Sequence, residues 1–306
     1  MKACAPGKLV LSGAYSVLEG APAIVSAVDR YVCCDSTRAA ELITPEVRAA
    51  LSAEAAPAFD ASALRAEGRK LGLGSSAAIL VASLAVARGR HIEDEQALRQ
   101  AIWRQALAAH RRAQGGGSGI DVAASTWGGT LIARLEEAQG LHLEAVEMPH
   151  DLVVEVWTSP VAASTPALLT AVARLRERSP DLYGLLLGRS KAAAERAAVA
   201  LRRGQTFDLI KEFTEQRLSF EALGQAAGVD IVTAEVAQLA RAAPPEAAVL
   251  PSGAGGGDIV LWCSHVPSPL AFHELAASLG HQMLPVQLHA RGVHRCPTES
   301  EIPRGS

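Results

Sequence analysis

Residues 71–78 read Leu-Gly-Leu-Gly-Ser-Ser-Ala-Ala and run straight into the apolar stretch 79–87. No other segment constrains the fold as tightly, because a glycine turn followed by helix-periodic apolar residues predicts a loop that opens a helix over 76–88. The first turn of a helix has unpaired backbone N–H groups and the positive end of the macrodipole, so it favours an anion. Gly72 and Gly74 permit close backbone approach. Ser75 and Ser76 add hydroxyls suited to a phosphate oxygen or a magnesium ion. The same octapeptide also fits an ordinary serine-capped helix after a glycine turn, so the rest of the chain decides.

With 306 residues, 49% of them hydrophobic, and a net charge of −3, the chain reads as one large or two modest globular domains. That charge gives no basic field for nucleic acid, and Arg111-Arg112 and Arg202-Arg203 read as solvated helix faces. The start, Met1-Lys2-Ala3-Cys4-Ala5-Pro6, does not read as a secretory leader, and 77–87 is too short to span a bilayer. Cys4, Cys33, Cys34, Cys263 and Cys296 form no CxxC pair. They read as scattered reduced thiols of a cytoplasmic protein, with little support for metal binding through sulfur.

Strand-like runs are predicted at 8–12, 23–28 and 31–36, then a second helix at 94–114, acidic at its start and basic at its end. Gly115-Gly116-Gly117-Ser118-Gly119 stops that helix, and strands return at 129–134 and 141–147. An apolar run at 152–157 begins a second domain, which puts the boundary near 149, with domains 1–148 and 149–306. Helices are predicted at 165–178, 183–203, 207–226 and 233–242. A second glycine loop, 251–258, leads into a strand at 259–263, and a helix at 269–279 and a strand at 283–289 complete an α+β arrangement. The terminal Pro303-Arg304-Gly305-Ser306 carries no weight in this reading.

Three glycine motifs stand in order along the chain: Ala5-Pro6-Gly7-Lys8-Leu9-Val10-Leu11-Ser12-Gly13, the stretch Gly72 to Ala78, and Ser252-Gly253-Ala254-Gly255-Gly256-Gly257-Asp258. Their order and spacing resemble the GHMP kinases. The resemblance implies the GHMP fold, with an N-terminal ribosomal-protein-S5-domain-2-like, ATP-binding domain and a C-terminal ferredoxin-like domain. Ala109-His110-Arg111-Arg112-Ala113-Gln114-Gly115 before Gly117-Ser118-Gly119-Ile120-Asp121-Val122 is similar to the phosphomevalonate kinase pattern, and mevalonate kinases usually have glutamate where His110 stands. Lys70, the third motif, Val156-Trp157-Thr158 and Ala163-Ser164-Thr165 resemble the same group, whereas Ser125-Thr126-Trp127-Gly128-Gly129 is closer to mevalonate kinase. Ala14, Ser159 and Leu250 depart from the usual acid, glycine and lysine, and the segment between Arg38 and Arg69 is shorter than typical.

The resemblance implies ATP and Mg²⁺ as cofactors and a small phosphorylated substrate in a monomer or homodimer. Lys8 and Asp121 are the catalytic candidates: Lys8 neutralises the transferred group, and Asp121 pairs with Lys8. Lys70, Gly72, Leu73, Gly74, Ser75, Ser76 and Ala77 are expected at ATP, with Ser76 also the metal candidate. His110, Ser118, Gly119, Ser164, Thr165, Arg217, Ser252, Gly253, Ala254, Gly255, Gly256 and Asp258 are expected at the substrate. Solvated or capping roles also fit Lys8, Lys70, Asp121, Ser164, Thr165 and Arg217 locally, and a core role fits His110. The expected reaction is phosphoryl transfer to phosphomevalonate. The alternatives are phosphorylation of mevalonate or another metabolite hydroxyl, and a non-catalytic nucleotide or metabolite binder.

Overall fold

The structure is a computed structural model describing residues 1–52, 55–66, 68–136 and 140–296, so Pro303 to Ser306 lie outside the described residues. The chain begins with two long strands, β1 (Lys2–Ser12), buried except at Lys2 and Lys8, and β2 (Pro22–Ala39), buried from Pro22 to Val28 and more exposed beyond. The runs at 23–28 and 31–36 are therefore one strand. The polar Asp29-Arg30 pair interrupts the apolar pattern without breaking the backbone. Short elements follow: α1 (Pro45–Ala50), β3 (Pro57–Asp60), β4 (Arg65–Ala66) and β5 (Arg69–Lys70).

Next come α2 (Ser75–Arg88), α3 (Glu95–Gln114), α4 (Ile120–Trp127), β6 (Thr130–Glu136) and β7 (Gly140–Val146). In α2 every residue from Ala77 to Val86 is buried, as expected for a helix apolar on all sides that lies within a core. By contrast α3 is amphipathic, burying Leu98, Ile102, Ala106, Ala109 and His110, and the Asp94 carboxylate caps it by accepting from Ala97 N–H at 2.6 Å. Helix α4 escapes sequence analysis, because glycines bound it and it is only eight residues long.

The second half contains β8 (Val153–Thr158), α5 (Thr165–Arg178), α6 (Pro180–Arg202), α7 (Thr206–Ala227), α8 (Ala234–Ala242), β9 (Ala248–Pro251), β10 (Ile259–Ser264), α9 (Leu270–Ser278) and β11 (Gln282–Met283). Its sheet has the order β11-β8-β10-β9, antiparallel throughout. With helices between β8 and β9 and between β10 and β11, this is the split β-α-β arrangement of a ferredoxin-like fold, elaborated by extra helices. Trp157, Val236, Leu239, Val249, Val260, Trp262 and Phe272 form one core of it. The predicted strand at 283–289 is reduced to β11, because Pro285 cannot donate to a ladder; Leu288 then makes an isolated bridge with Val28.

The last described strand, β12 (His294–Cys296), pairs with β1, and the first sheet has the order β12-β1-β2-β6-β7 with β3 also on β2. Cys4, Cys33 and Cys296, 292 residues apart at the extremes, are thereby brought together rather than scattered as expected. Contacts divide the described residues into two compact units: Met1–Leu9, Ser26–Thr130 and the residues from Gln287 to Cys296 belong to the first, and Val10–Val25 with Leu131–Val286 to the second. Both units draw on stretches to either side of residue 131 or 25, so neither is a single continuous segment. No helix among the described residues is long and apolar enough to cross a membrane.

Candidate functional site

In the first unit the site grows from the turn between β5 and α2. Gly74 sits at the N-cap with φ 75° and ψ 34°, a left-handed conformation that suits glycine. Glycine rather than serine therefore caps the helix. Ser75 and Ser76 occupy its first two positions, where the backbone N–H groups have no intrahelical acceptor.

Lys8 lies against this turn. Its backbone N–H donates to Leu73 O at 2.8 Å, its Nζ is 3.5 Å from Gly72 O, and a Cβ on Gly74 would fall 2.8 Å from Lys8 Cγ. The missing side chain at Gly74 thus leaves the channel along which the lysine stem runs.

Helix α4 brings in Asp121. Gly119 is its N-cap at φ 81°, Asp121 is in its first turn, and the Asp121 carboxylate accepts from Val122 N–H at 2.9 Å. Ser125 Oγ donates to Pro6 O at 2.8 Å, which ties α4 to the strand that carries Lys8. The loop before α4 is held by Arg111, whose guanidinium donates to Gly117 O and to Ser118 O at 3.1 Å.

His110, on the buried face of α3, places Nε2 3.1 Å from Asp121 Oδ2. Burial opposes charge on both groups. The Asp121 interaction, with Glu46 adding to it, nevertheless raises the imidazole pKa overall. Likewise burial pushes the Asp121 carboxyl up, but His110, then Lys8 and the Val122 N–H, hold it below the usual carboxylate range. The pair favours imidazolium and carboxylate, and an imidazolium cannot ligate a metal. His110 is 2% exposed and acts as a partner to Asp121.

Lys8, Gly72 to Ala77, His110, Ser118, Gly119 and Asp121 therefore meet in one neighbourhood. Lys70 is exposed on β5, opposite Arg65. Ser75, Ser76 and Asp121 present hard oxygens, a donor set that fits a magnesium ion carrying most of its shell as water and nucleotide oxygen. Among the described residues they belong to no cluster of three acidic or imidazole groups that would hold a cation unaided.

The second unit contains the third glycine motif. Ser252 Oγ bridges the backbone of Val10, 3.1 Å from both its N and its O. Asp258 accepts from Ala163 N–H at 3.1 Å and its own N–H donates to Val161 O. Those contacts set the approach to α5, where Ser164 is the exposed N-cap and Thr165 the first helical residue. A Cβ on Gly255 would meet Ile231 O at 2.1 Å, so backbone packs directly on this loop. Arg217, on α7, is paired with Glu221 at 2.6 Å.

Sequence analysis missed two residues of this unit. Gln216 is fully buried and accepts from Gly13 N–H at 2.9 Å, and Tyr15, at φ 62°, donates to Ala254 O at 2.6 Å. Tyr15 is a non-glycine residue at positive φ beside the first motif, a backbone state that no local sequence pattern encodes.

The GHMP kinases N terminal domain family matches residues 48–129. The chain is 26% identical to the phosphomevalonate kinase of Streptomyces sp. (strain CL190), over 83% of this chain and 87% of that protein. It is 30% identical to the mevalonate kinase of Archaeoglobus fulgidus, over 60% of this chain and 66% of that protein. In fold it is similar to the Lin0012 protein from Listeria innocua, with a TM-score of 0.80 and 23% identity over 96% of this chain and 99% of that one. It is likewise similar to Streptococcus pneumoniae phosphomevalonate kinase in complex with phosphomevalonate and AMPPNP, with a TM-score of 0.76 and 19% identity over 94% and 99%. Residues 48–129 thus match a GHMP kinases N terminal domain, and over most of its length the chain is similar to a phosphomevalonate kinase and shares the fold of GHMP kinases.

Proposed function

We propose that this chain is an ATP-dependent phosphotransferase that passes the γ-phosphoryl group to phosphomevalonate, giving diphosphomevalonate and ADP. The observation that carries the reading is the convergence of Lys8, the α2 N-terminus and the His110–Asp121 pair within one unit. The named activity of the Streptomyces relative supports the acceptor.

In this reading the N–H groups of Ser75, Ser76 and Ala77 bind phosphate oxygens of ATP. Magnesium, when bound, neutralises charge on the β- and γ-phosphates, with Ser76 as a protein ligand. An oxygen of the acceptor phosphate attacks the γ-phosphorus while the bond to the β,γ-bridging oxygen breaks and ADP leaves. Lys8 neutralises the equatorial oxygens as this happens. A phosphate monoester has a second pKa of about 6, so it needs little help losing a proton. Asp121 therefore orients Lys8, and His110 holds Asp121 ionised and in place.

A second reading, phosphorylation of the mevalonate hydroxyl, is favoured by the Ser125-Thr126-Trp127-Gly128-Gly129 segment and by the Archaeoglobus relative. A hydroxyl acceptor would require Asp121 to take a proton. The test is ADP release with phosphomevalonate, mevalonate, homoserine and galactose as separate acceptors, using Lys8→Met and Asp121→Asn as controls. Turnover of mevalonate without phosphomevalonate would overturn the first reading. Tight ATP binding without turnover of any acceptor would favour the binding-protein alternative.

A further inference from the structure

Three cysteines, none of them among the residues assigned above to ATP, meet on the sheet that begins with β12 and β1. Cys4 lies on β1, Cys33 on β2 and Cys296 on β12, and these three strands are neighbours. Lys2 is the register partner of Cys296, which puts Cys4 diagonally across from it, at a Cα separation of 6.4 Å. Met1 and Ser36 are hydrogen-bonded across β1 and β2, and counting inward from them places Cys33 opposite Cys4, where the Cα atoms are 4.2 Å apart. All three side chains therefore share one face of the sheet.

The Cys4 sulfur is at disulfide-bonding contact with both Cys33 and Cys296, and all three sulfurs lie within 4.8 Å of one another. A divalent sulfur forms a single disulfide bond, so no pairing of these residues satisfies all three. A cation satisfies them together: with Zn–S bonds of about 2.3 Å, tetrahedral geometry sets sulfurs about 3.8 Å apart.

We propose that Cys4, Cys33 and Cys296 form a zinc site that fastens β12 to β1 and β2. Thiolates are soft donors and select Zn²⁺ over the hard magnesium ion expected at the nucleotide. Three thiolates and one Zn²⁺ carry a net charge of −1. Lys2 lies on the same face, 3.8 Å from Asp35, as the nearby cation. Cys4 is buried, Cys296 is half-buried, and Cys33 lines an open pocket of about 470 Å³ with Lys2, Asp35 and Asp60. That pocket brings solvent to the Cys33 side of the cluster. Cys34, whose side chain turns to the opposite face toward Ser83, and the buried Cys263 stand outside the site.

The test uses the full chain, reduced and freed of metal, titrated with Zn²⁺ and separately with Co²⁺. The expected result is one equivalent of zinc per chain, three thiols protected from a thiol reagent, and a thiolate-to-Co²⁺ charge-transfer band. Cys33→Ser, at a solvent-reaching position, should abolish stoichiometric binding while leaving the far-ultraviolet circular dichroism unchanged. Cys263→Ser should bind as the parent does. Absence of zinc and of the Co²⁺ band in the reduced chain would overturn the proposal. So would binding that survives Cys33→Ser.

Discussion

Replacing Gly74 with alanine separates backbone strain from displacement of Lys8. At φ 75° and ψ 34°, an alanine costs about 1–2 kcal/mol from the left-handed backbone alone. The added Cβ would also lie 2.8 Å from Lys8 Cγ and 3.1 Å from Cε, against an ordinary carbon contact of about 3.5–4.0 Å. Lys8 N–H is fixed on Leu73 O, so the side chain has to swing by roughly 1 Å. A misplacement of that size costs on the order of 100-fold in rate when the displaced group acts on the transition state. Gly228 is the control, because it has nearly the same backbone, φ 72° and ψ 35°, with nothing within 4 Å of a built Cβ. Both variants should lose about 1–2 kcal/mol in urea unfolding, and Gly74→Ala alone should lose kcat for ADP release by about 100-fold. If the two variants keep the same kcat, Gly74 does not secure Lys8 for catalysis.

Removing His110 as His110→Ala should destabilise the first unit by about 2–4 kcal/mol, less than a fully buried pair, because the Asp121 side chain is 24% exposed; thermal unfolding checks this. The pair also predicts a pH dependence of stability. The raised His110 pKa adds stability below its ordinary value of about 6.5, and this is lost as pH rises through the folded value. The lowered Asp121 pKa adds stability above about 3.9, and this is lost as pH falls through the folded value, so the urea midpoint difference between parent and His110→Ala should be largest between those limits. Asp121→Asn should lower kcat by about 10²-fold or more while changing KM for ATP little, measured by ADP release; a KM effect alone would argue against its place beside the transferred group. Gly255→Ala should cost about 2–5 kcal/mol in unfolding free energy, because its Cβ meets a carbonyl that cannot rotate away.

Much of the helical content was legible, because caps and periodicity are local. Asp94 and Thr233 cap helices where their side chains suggest. Helix α4 was not legible: Ala123, Ala124 and Ser125 are all buried, so it has no polar face to reveal a period. Asp121 was visible through its motif, but its pairing with His110 depends on α3 and α4 packing together, which no local pattern encodes. The cysteine cluster failed for the same reason in stronger form. Its members lie on three strands made neighbours by topology, and Cys296 belongs to a three-residue strand that carries almost no signal.

The two glycine loops share a composition and differ in physics. At Gly74 the absent side chain leaves room for Lys8, a flexible and charged neighbour. At Gly255 it leaves room for the Ile231 backbone, while the Asp258 carboxylate is committed to the Ala163 N–H and Ser252 to Val10. The second loop is therefore held by backbone contacts, and substitutions there should register first as lost stability. Substitutions in the first loop should register first as lost rate. A glycine motif thus specifies close approach without specifying what approaches, and the neighbour decides whether a Cβ harms folding or chemistry.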